Sequence, residues 1–310
     1  MKLKLLFLLA LIASCAPEQE SAKDLTVKSN FEAISLLGDT LIAIPPGQKA
    51  IDNYLERKAN FEADPSADNW VWYGRFTAYQ GNYNKAIDEY SLAIEKFPND
   101  ARFYRHRGHR YISIRQFDKA IADFEKAAEL REGSTNEIEP DGAPNAQNIP
   151  VSTLDGNIFY HLGLAYYLNG DLEPALAAYK KAIAASRMDD NIVSGTHWVY
   201  MILRRMGKEE EALKALDVIN KDMEIIENYA YYDLCLFYKG ELSLEELTKA
   251  GEGELSSNDA VNYGIGNWYL YNGDEPKAGE IYESILTQPV WASFGYIAAE
   301  ADVYRLSGNQ

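Results

Sequence analysis

Residues 67–100, ADNWVWYGRFTAYQGNYNKAIDEYSLAIEKFPND, run without a gap into residues 101–134, ARFYRHRGHRYISIRQFDKAIADFEKAAELREGS. Laid one over the other, they place Gly74 on Gly108, Ala86 on Ala120 and Tyr90 on Phe124. A small residue at the eighth position, an alanine at the twentieth and an aromatic at the twenty-fourth therefore recur every 34 residues. That period belongs to helix-turn-helix units, which cannot bury their apolar faces alone and so stack into a solenoid. The pattern calls for an all-α architecture and tilts function toward holding a partner rather than transforming a substrate.

The pattern continues beyond these two units. Residues 156–189 carry Phe159, Leu162-Gly163, Tyr166, Ala175, Tyr179 and Ala182, and residues 259–292 carry Gly266, Tyr269, Gly273, Ala278 and Tyr282. With Trp70, Tyr73, Ala93 and Pro98 in the first unit, these positions resemble the tetratricopeptide repeat (TPR). The resemblance implies a right-handed superhelix, an α-solenoid of antiparallel helix hairpins. Residues 193–226 and 227–258 read as degenerate units, with Tyr200 in place of a crossing glycine and Ser243 with Glu246 as a capping box. Upstream, Leu37-Gly38 and Lys49 to Tyr54 echo the repeat, so 31–64 reads as a worn first hairpin with Pro45-Pro46-Gly47 as its turn. Residues 291–306 read as a capping helix.

Two ends and one interruption stand outside the rhythm. Residues 1–14 have a charged start at Lys2 and Lys4 and an apolar run, Leu5 to Ile12, too short to span a bilayer; they read as a signal peptide. Ile12-Ala13-Ser14-Cys15 resembles the bacterial lipobox, which implies lipidation of Cys15, a flexible tether over 15–30 and a body anchored to an envelope membrane. A plain secretory signal is the alternative. Residues 135–155, TNEIEPDGAPNAQNIPVSTLD, break the period between two well-formed repeats. A stretch longer than about 12–15 residues without helical pattern is either functional or disordered. An ordered lid or arm is the preferred reading.

Composition narrows the function. The formal charge of −17, about −19 once Lys2 and Lys4 are gone, argues against nucleic acid and against an electrostatic grip on anionic lipid. Aliphatic and aromatic residues at 47% suffice for a continuous core. With Cys15 lipidated, Cys235 has no disulfide partner and reads as core packing.

Against this acidic background the inner face is basic. In TPR folds the first helix of each pair lines the concave groove, which maps Arg75, Arg102, Arg105, His109, Tyr160, His197, Arg204, Tyr263 and Asn267 onto it, with His106 and His161 at its edge. Three readings of this stripe compete. Arginine forks suit an anionic group such as a peptide C-terminal carboxylate, an acidic peptide or a phosphorylated glycan. A metal on His106, His109 and His161 or His197 is disfavoured, because no HExxH or carboxylate cluster accompanies them and the arginines repel a cation. In the third, the arginines pair with Glu137, Glu139 and Asp141 of the interruption and fix it in place. Nucleophile and phosphate-loop motifs are absent from the sequence, and no cofactor is implied.

The run Phe237 to Leu247, followed by a good repeat and a last helix, is distantly similar to the TPR lipoprotein adaptors of a periplasmic tail-specific protease. The expectation is a non-enzymatic scaffold that holds a protein or peptide partner in the basic groove at the cell envelope. The alternative is a small anionic ligand or glycan, or an unrecognised hydrolase site, under the 135–155 loop.

Overall fold

The computed structural model describes residues 31–250 and 255–308; Cys15, the signal segment and the tether lie outside the described residues. Residues 31–44 are not the first helix of a worn repeat. β1 (Phe31–Ile34) and β2 (Thr40–Ile42) pair antiparallel, with Phe31 opposite Ile42 and Ile34 opposite Thr40. Gly38, which echoes the crossing glycine in sequence, sits in the turn with φ +93°, where an L side chain is strained. A register shift between Phe31 and Ala33 breaks the alternation of β1 and turns Ala33 inward with its partner Leu41, and Pro45-Pro46, unable to donate to a ladder, ends the hairpin. A single helix, α1 (Gln48–Ala63), follows and packs on the first repeat, with Phe61 stacked on Tyr73 at 5.0 Å.

The repeats come next. Three hairpins follow in order: α2 (Ala67–Tyr79) with α3 (Tyr83–Lys96), α4 (Ala101–Ser113) with α5 (Phe117–Arg131), and α6 (Leu154–Asn169) with α7 (Leu172–Ala185). Their crossings share one device. A Cβ on Gly74 would lie 2.5 Å from the Tyr90 ring, one on Gly163 2.7 Å from Tyr179, and one on Gly108 3.1 Å from Phe124. The aromatic of the second helix thus fills the space that the glycine leaves in the first. Both positions are needed together, which is why they recur together.

α8 (Asp189–Arg205) and α9 (Glu209–Ala215) vary the device. Tyr200 replaces the glycine, and Leu216, in a 3-10 turn after α9, replaces the aromatic. The tyrosine turns outward from that crossing to stack on Tyr238 of α10 (Tyr229–Tyr238) at 4.3 Å. α11 (Leu244–Ala250) begins with the capping box: Glu246 Oε2 accepts from the Ser243 N–H at 2.9 Å, and Ser243 Oγ accepts from the Glu246 N–H at 3.2 Å. α12 (Leu255–Tyr271) and α13 (Glu275–Leu286) restore the pattern, with Gly266 against Tyr282.

The last helix, α14 (Phe294–Leu306), leaves the end of the stack and crosses the inner helices. Asp302 accepts from Arg205 of α8 and Tyr263 of α12, both at 2.9 Å; Arg305 donates to the Leu168 carbonyl of α6; and Phe294 lies 5.3 Å from the His109 ring of α4. One ion pair then ties both ends to the middle. Arg115, in the α4–α5 turn, donates to Glu300 Oε2 at 2.6 Å and to the Trp291 carbonyl at 2.7 Å, while Glu300 Oε1 accepts from the Leu36 N–H of the β-hairpin at 2.7 Å. Trp291 donates in turn to the Ile42 carbonyl at 2.7 Å. The inner face is therefore filled by the chain itself.

Two substitutions test these devices. Gly163→Ala should cost about 1–3 kcal/mol by overpacking, and most of that cost should vanish in a Tyr179→Leu background. Additive losses in the double-mutant cycle would mean that the two positions do not share one space. Arg115→Met should cost about 3–5 kcal/mol, since it strands a buried carboxylate, whereas Arg115→Met with Glu300→Leu should recover most of it. Chemical denaturation of the single and double variants reads both.

Candidate functional site

The 135–155 segment is an ordered arm held along its length. Glu139 N–H donates to the Ser152 carbonyl at 3.0 Å and Leu154 N–H to the Glu137 carbonyl at 2.9 Å. Asn136 donates to the Ala185 carbonyl and Asn145 to Glu227. At its near end the arm folds over the inner face of α2 and α4. Arg75 donates to the Pro140 carbonyl at 2.7 Å, and Gly142 approaches so closely that a Cβ would lie 2.4 Å from Tyr79 Oη.

Glu139 is the arm's buried end, 7% exposed. Its Oε2 lies 3.2 Å from Arg105 Nε and accepts from Asn157 at 2.7 Å; its Oε1 lies 3.2 Å from His106 Nε2. Arg105 Nη1 is 3.0 Å from His106 Nδ1. A guanidinium only donates, so Nδ1 accepts and the imidazole proton sits on Nε2, facing Glu139. Burial alone would raise the Glu139 carboxyl, but the charge of Arg105, then the facing imidazole N–H of His106 and the charge of Arg75, outweigh it and hold the group well below the usual carboxylate range. Burial first, then the neighbouring Arg105, pushes His106 the other way and keeps it neutral.

Behind this contact lies a cavity of about 80 Å³ lined by Arg75, Tyr79, Tyr90, Arg105, His106, His109 and Arg110. The structure thus gathers Arg75, Arg105, His106 and His109 at one place, with His161 next to it, 4.6 Å from the His109 ring. These residues face the arm and α14 rather than an open groove. His161 and Tyr160 also line a second recess of about 220 Å³ under the arm, with Asn157, Asn191, Ser194 and Tyr231.

The remaining candidates lie elsewhere. Arg102 pairs with Asp100 and Asp68, each at 2.6 Å, on the wall of an outer cleft of about 790 Å³ between the arm and the helix ends. His197 is buried against Trp198, Tyr231 and Tyr238. Arg204 bonds Tyr200 and Asn272 and pairs with Glu209 at 3.3 Å. Tyr263 and Asn267 hold α14 and Tyr167 through hydrogen bonds. Arg105 is taken by an acid of the arm; Arg102 is taken by acids outside it. Among the described residues no group of three or more His, Cys, Asp or Glu is placed to hold a metal ion.

Sequence reasoning did not single out Arg110, Tyr79 or Tyr90 as cavity residues. Arg110 stands at the tenth repeat position, outside the positions mapped to the groove. Its signal is the four-residue step from His106, which places both on one helical face.

Two family models described as tetratricopeptide repeat match residues 77–137 and 156–187. The chain thus carries tetratricopeptide repeats in these stretches, and its other stacked hairpins share their fold. It is similar to small glutamine-rich tetratricopeptide repeat-containing protein 2 of Saccharomyces cerevisiae, with 27% identity over 174 residues, 54% of this chain and 44% of that protein. The chain therefore spans under half the length of that curated relative. Among solved structures it is similar to YrrB, described as a TPR protein with an unusual peptide-binding site (18% identity, 80% of this chain, 97% of that chain, TM-score 0.41). It is also similar to a tetratricopeptide repeat protein from Parabacteroides merdae (12% identity, 80% and 92% covered, TM-score 0.45). At these TM-scores the structural likenesses carry no argument about a ligand.

The histidines give a pH prediction. Burial lowers the pKa of all four, His161 and His197 to about 3 from an ordinary 6.5. A group whose folded pKa is depressed takes up its proton on unfolding, so stability is complete above about pH 6.5 and falls as pH drops toward the folded values. Each histidine contributes a slope of about 1.4 kcal/mol per pH unit in that window. Urea midpoints should fall steadily from about pH 6.5 to 4.5, and His197→Phe should flatten the slope by about a quarter. Midpoints that do not move over this range refute the assignment of buried neutral imidazoles.

Proposed function

We propose that the protein is a non-enzymatic scaffold that binds a protein partner at a bacterial envelope membrane, where lipid on Cys15 anchors it. The TPR architecture supports the interaction role. The lipobox-like tetrad supports the anchor. Since α14 and the arm occupy the inner face, the partner surface is placed on the N-terminal β-hairpin rather than in the basic groove.

One observation carries that placement. Phe31 is 58% exposed, and Ile34, Leu37, Ile42 and Ile44 are between 39% and 49% exposed. Phe31 and Ile42 are cross-strand partners and so stand side by side on the solvent face. Single exposed apolar residues are ordinary, but five within fourteen residues of one hairpin form a patch of the kind that marks an interaction site. A partner with an apolar centre and a basic rim suits a chain of net charge −17.

A photo-crosslinking residue at Leu37 should capture a discrete envelope protein in living cells, while one at Lys126, on the back of α5, should not. Phe31→Ser with Ile42→Thr should remove that product, and Arg102→Ala should leave it. The opposite pattern, loss with Arg102→Ala and persistence in the hairpin variant, would return the partner to the helix-lined side. Cys15→Ala should move the protein from the membrane fraction to the soluble one.

A further inference from the structure

We propose that the cavity behind the arm is a binding site for one small oxyanion, of phosphate or carboxylate size. The proposal stands apart from the scaffold reading and does not need it.

The argument begins with charge. Arg75, Arg105 and Arg110 converge on the same cavity, and Arg105 and Arg110 are only 7% and 8% exposed. Glu139 is the one carboxylate in ion-pair contact with any of the three among the described residues. It reaches Arg105 alone. Arg110 lies over the Tyr83 ring at 5.5 Å and makes no ion pair among the described residues. Three buried or half-buried guanidiniums face Glu139 in contact and Asp141 of the arm at longer range, which still leaves positive charge in excess, and buried charge is retained only when it is paired.

Hydrogen-bonding capacity points the same way. Arg105 Nε and Glu139 Oε1 are both buried without an aligned hydrogen bond, so the contact between arm and helix is imperfect where the cavity begins. His109 makes ring contacts with His161 and Phe294 and lines the cavity. Tyr79 adds a hydroxyl to the lining, whereas the Tyr90 hydroxyl already donates to the Val71 carbonyl at 3.4 Å. The lining is thus rich in donors, and its histidines are neutral because burial, followed by the nearby arginines, depresses them. Arginine forks and N–H donors around a closed space match an oxyanion, not a cation or an apolar group.

Size limits the ligand. About 80 Å³ is room for a few waters, enough for one small anion and too little for a nucleotide or a peptide. The arm touches two of the lining side chains, Arg75 at Pro140 and Tyr79 at Gly142, and so borders the cavity on that side. Glu139 acts as an internal anion that competes for Arg105.

The test uses the full chain purified free of phosphate and sulfate. Equilibrium dialysis with inorganic phosphate, and calorimetry with acetate at constant ionic strength, should reveal one saturable site, and comparison of the two separates tetrahedral from planar preference. Arg110→Gln should weaken it by at least about tenfold, the loss of one charge-assisted contact. Glu139→Gln should tighten it several-fold, because the competing carboxylate is gone; a merely structural Glu139 would leave affinity unchanged or lower. If Arg110→Gln fails to fold by circular dichroism, Arg110→Lys keeps the charge, loses the fork and should still weaken binding. Absence of saturable binding in the unmodified chain, or equal affinity in the folded Arg110 variant, overturns the proposal.

Discussion

Arg115 and Glu300 stand 185 positions apart, and their buried ion pair is the point at which three distant segments meet. A buried pair is costly to desolvate and holds only when its remaining donors and acceptors are satisfied. Here they are: Arg115 also donates to the Ser113 and Trp291 carbonyls, and Glu300 accepts from the backbone of Leu36. Arg115 itself has φ +63°, a left-handed conformation that the turn after α4 imposes and that its contacts hold in place. Without this closure the cluster that covers Ala33 and Leu41 would keep Ile87 and Ile114 but lose Trp291, which would in turn lose its acceptor at Ile42.

Closure changes what kind of solenoid this is. Repeat arrays are usually quasi-one-dimensional, each unit touching only its neighbours. In this chain α14 bonds residues of α6, α8 and α12, and a hairpin at the other end leans on the same helix. Inner-face positions that an open TPR array would present to a partner are spent within the chain: Tyr263 on Asp302 and His109 on Phe294 of that helix, and Asn267 on Tyr167 of α6. The chemistry that remains available lies where the closure is incomplete, beneath the arm and on the outer face of the hairpin.

This also explains how far the sequence could be read. The glycine and the aromatic sixteen positions later are legible because they solve one local problem, the crossing of two helices, and must change together; Tyr200 with Leu216 shows the exchange. The β-hairpin was misread because Gly38 and Leu37 match a repeat position by residue type, while what decides their structure is the turn and the prolines that follow. The segment RFYRHRGHR looks like one basic stripe, yet helix geometry divides it. Arg102 reaches Asp100 and Asp68, Arg107 reaches Asp123 on α5, and Arg105 and Arg110 turn inward. Partners so far away in sequence leave no local pattern, and the Arg115–Glu300 pair leaves none at all.

The opposition between an acidic exterior and a basic interior follows from the same geometry. A net charge of −17 repels polyanions at a distance, but at physiological ionic strength that field decays over about 8 Å. Inside the cavity the local charge decides instead, because little water screens Arg105 and Arg110 from what they face. A small anion that passes the mouth leaves the repulsive field and enters an attractive one, while a larger anion never escapes the first. The acidic surface and the arm over Tyr79 therefore act in the same direction, one excluding by charge and the other by size, and together they reserve the three arginines for something small.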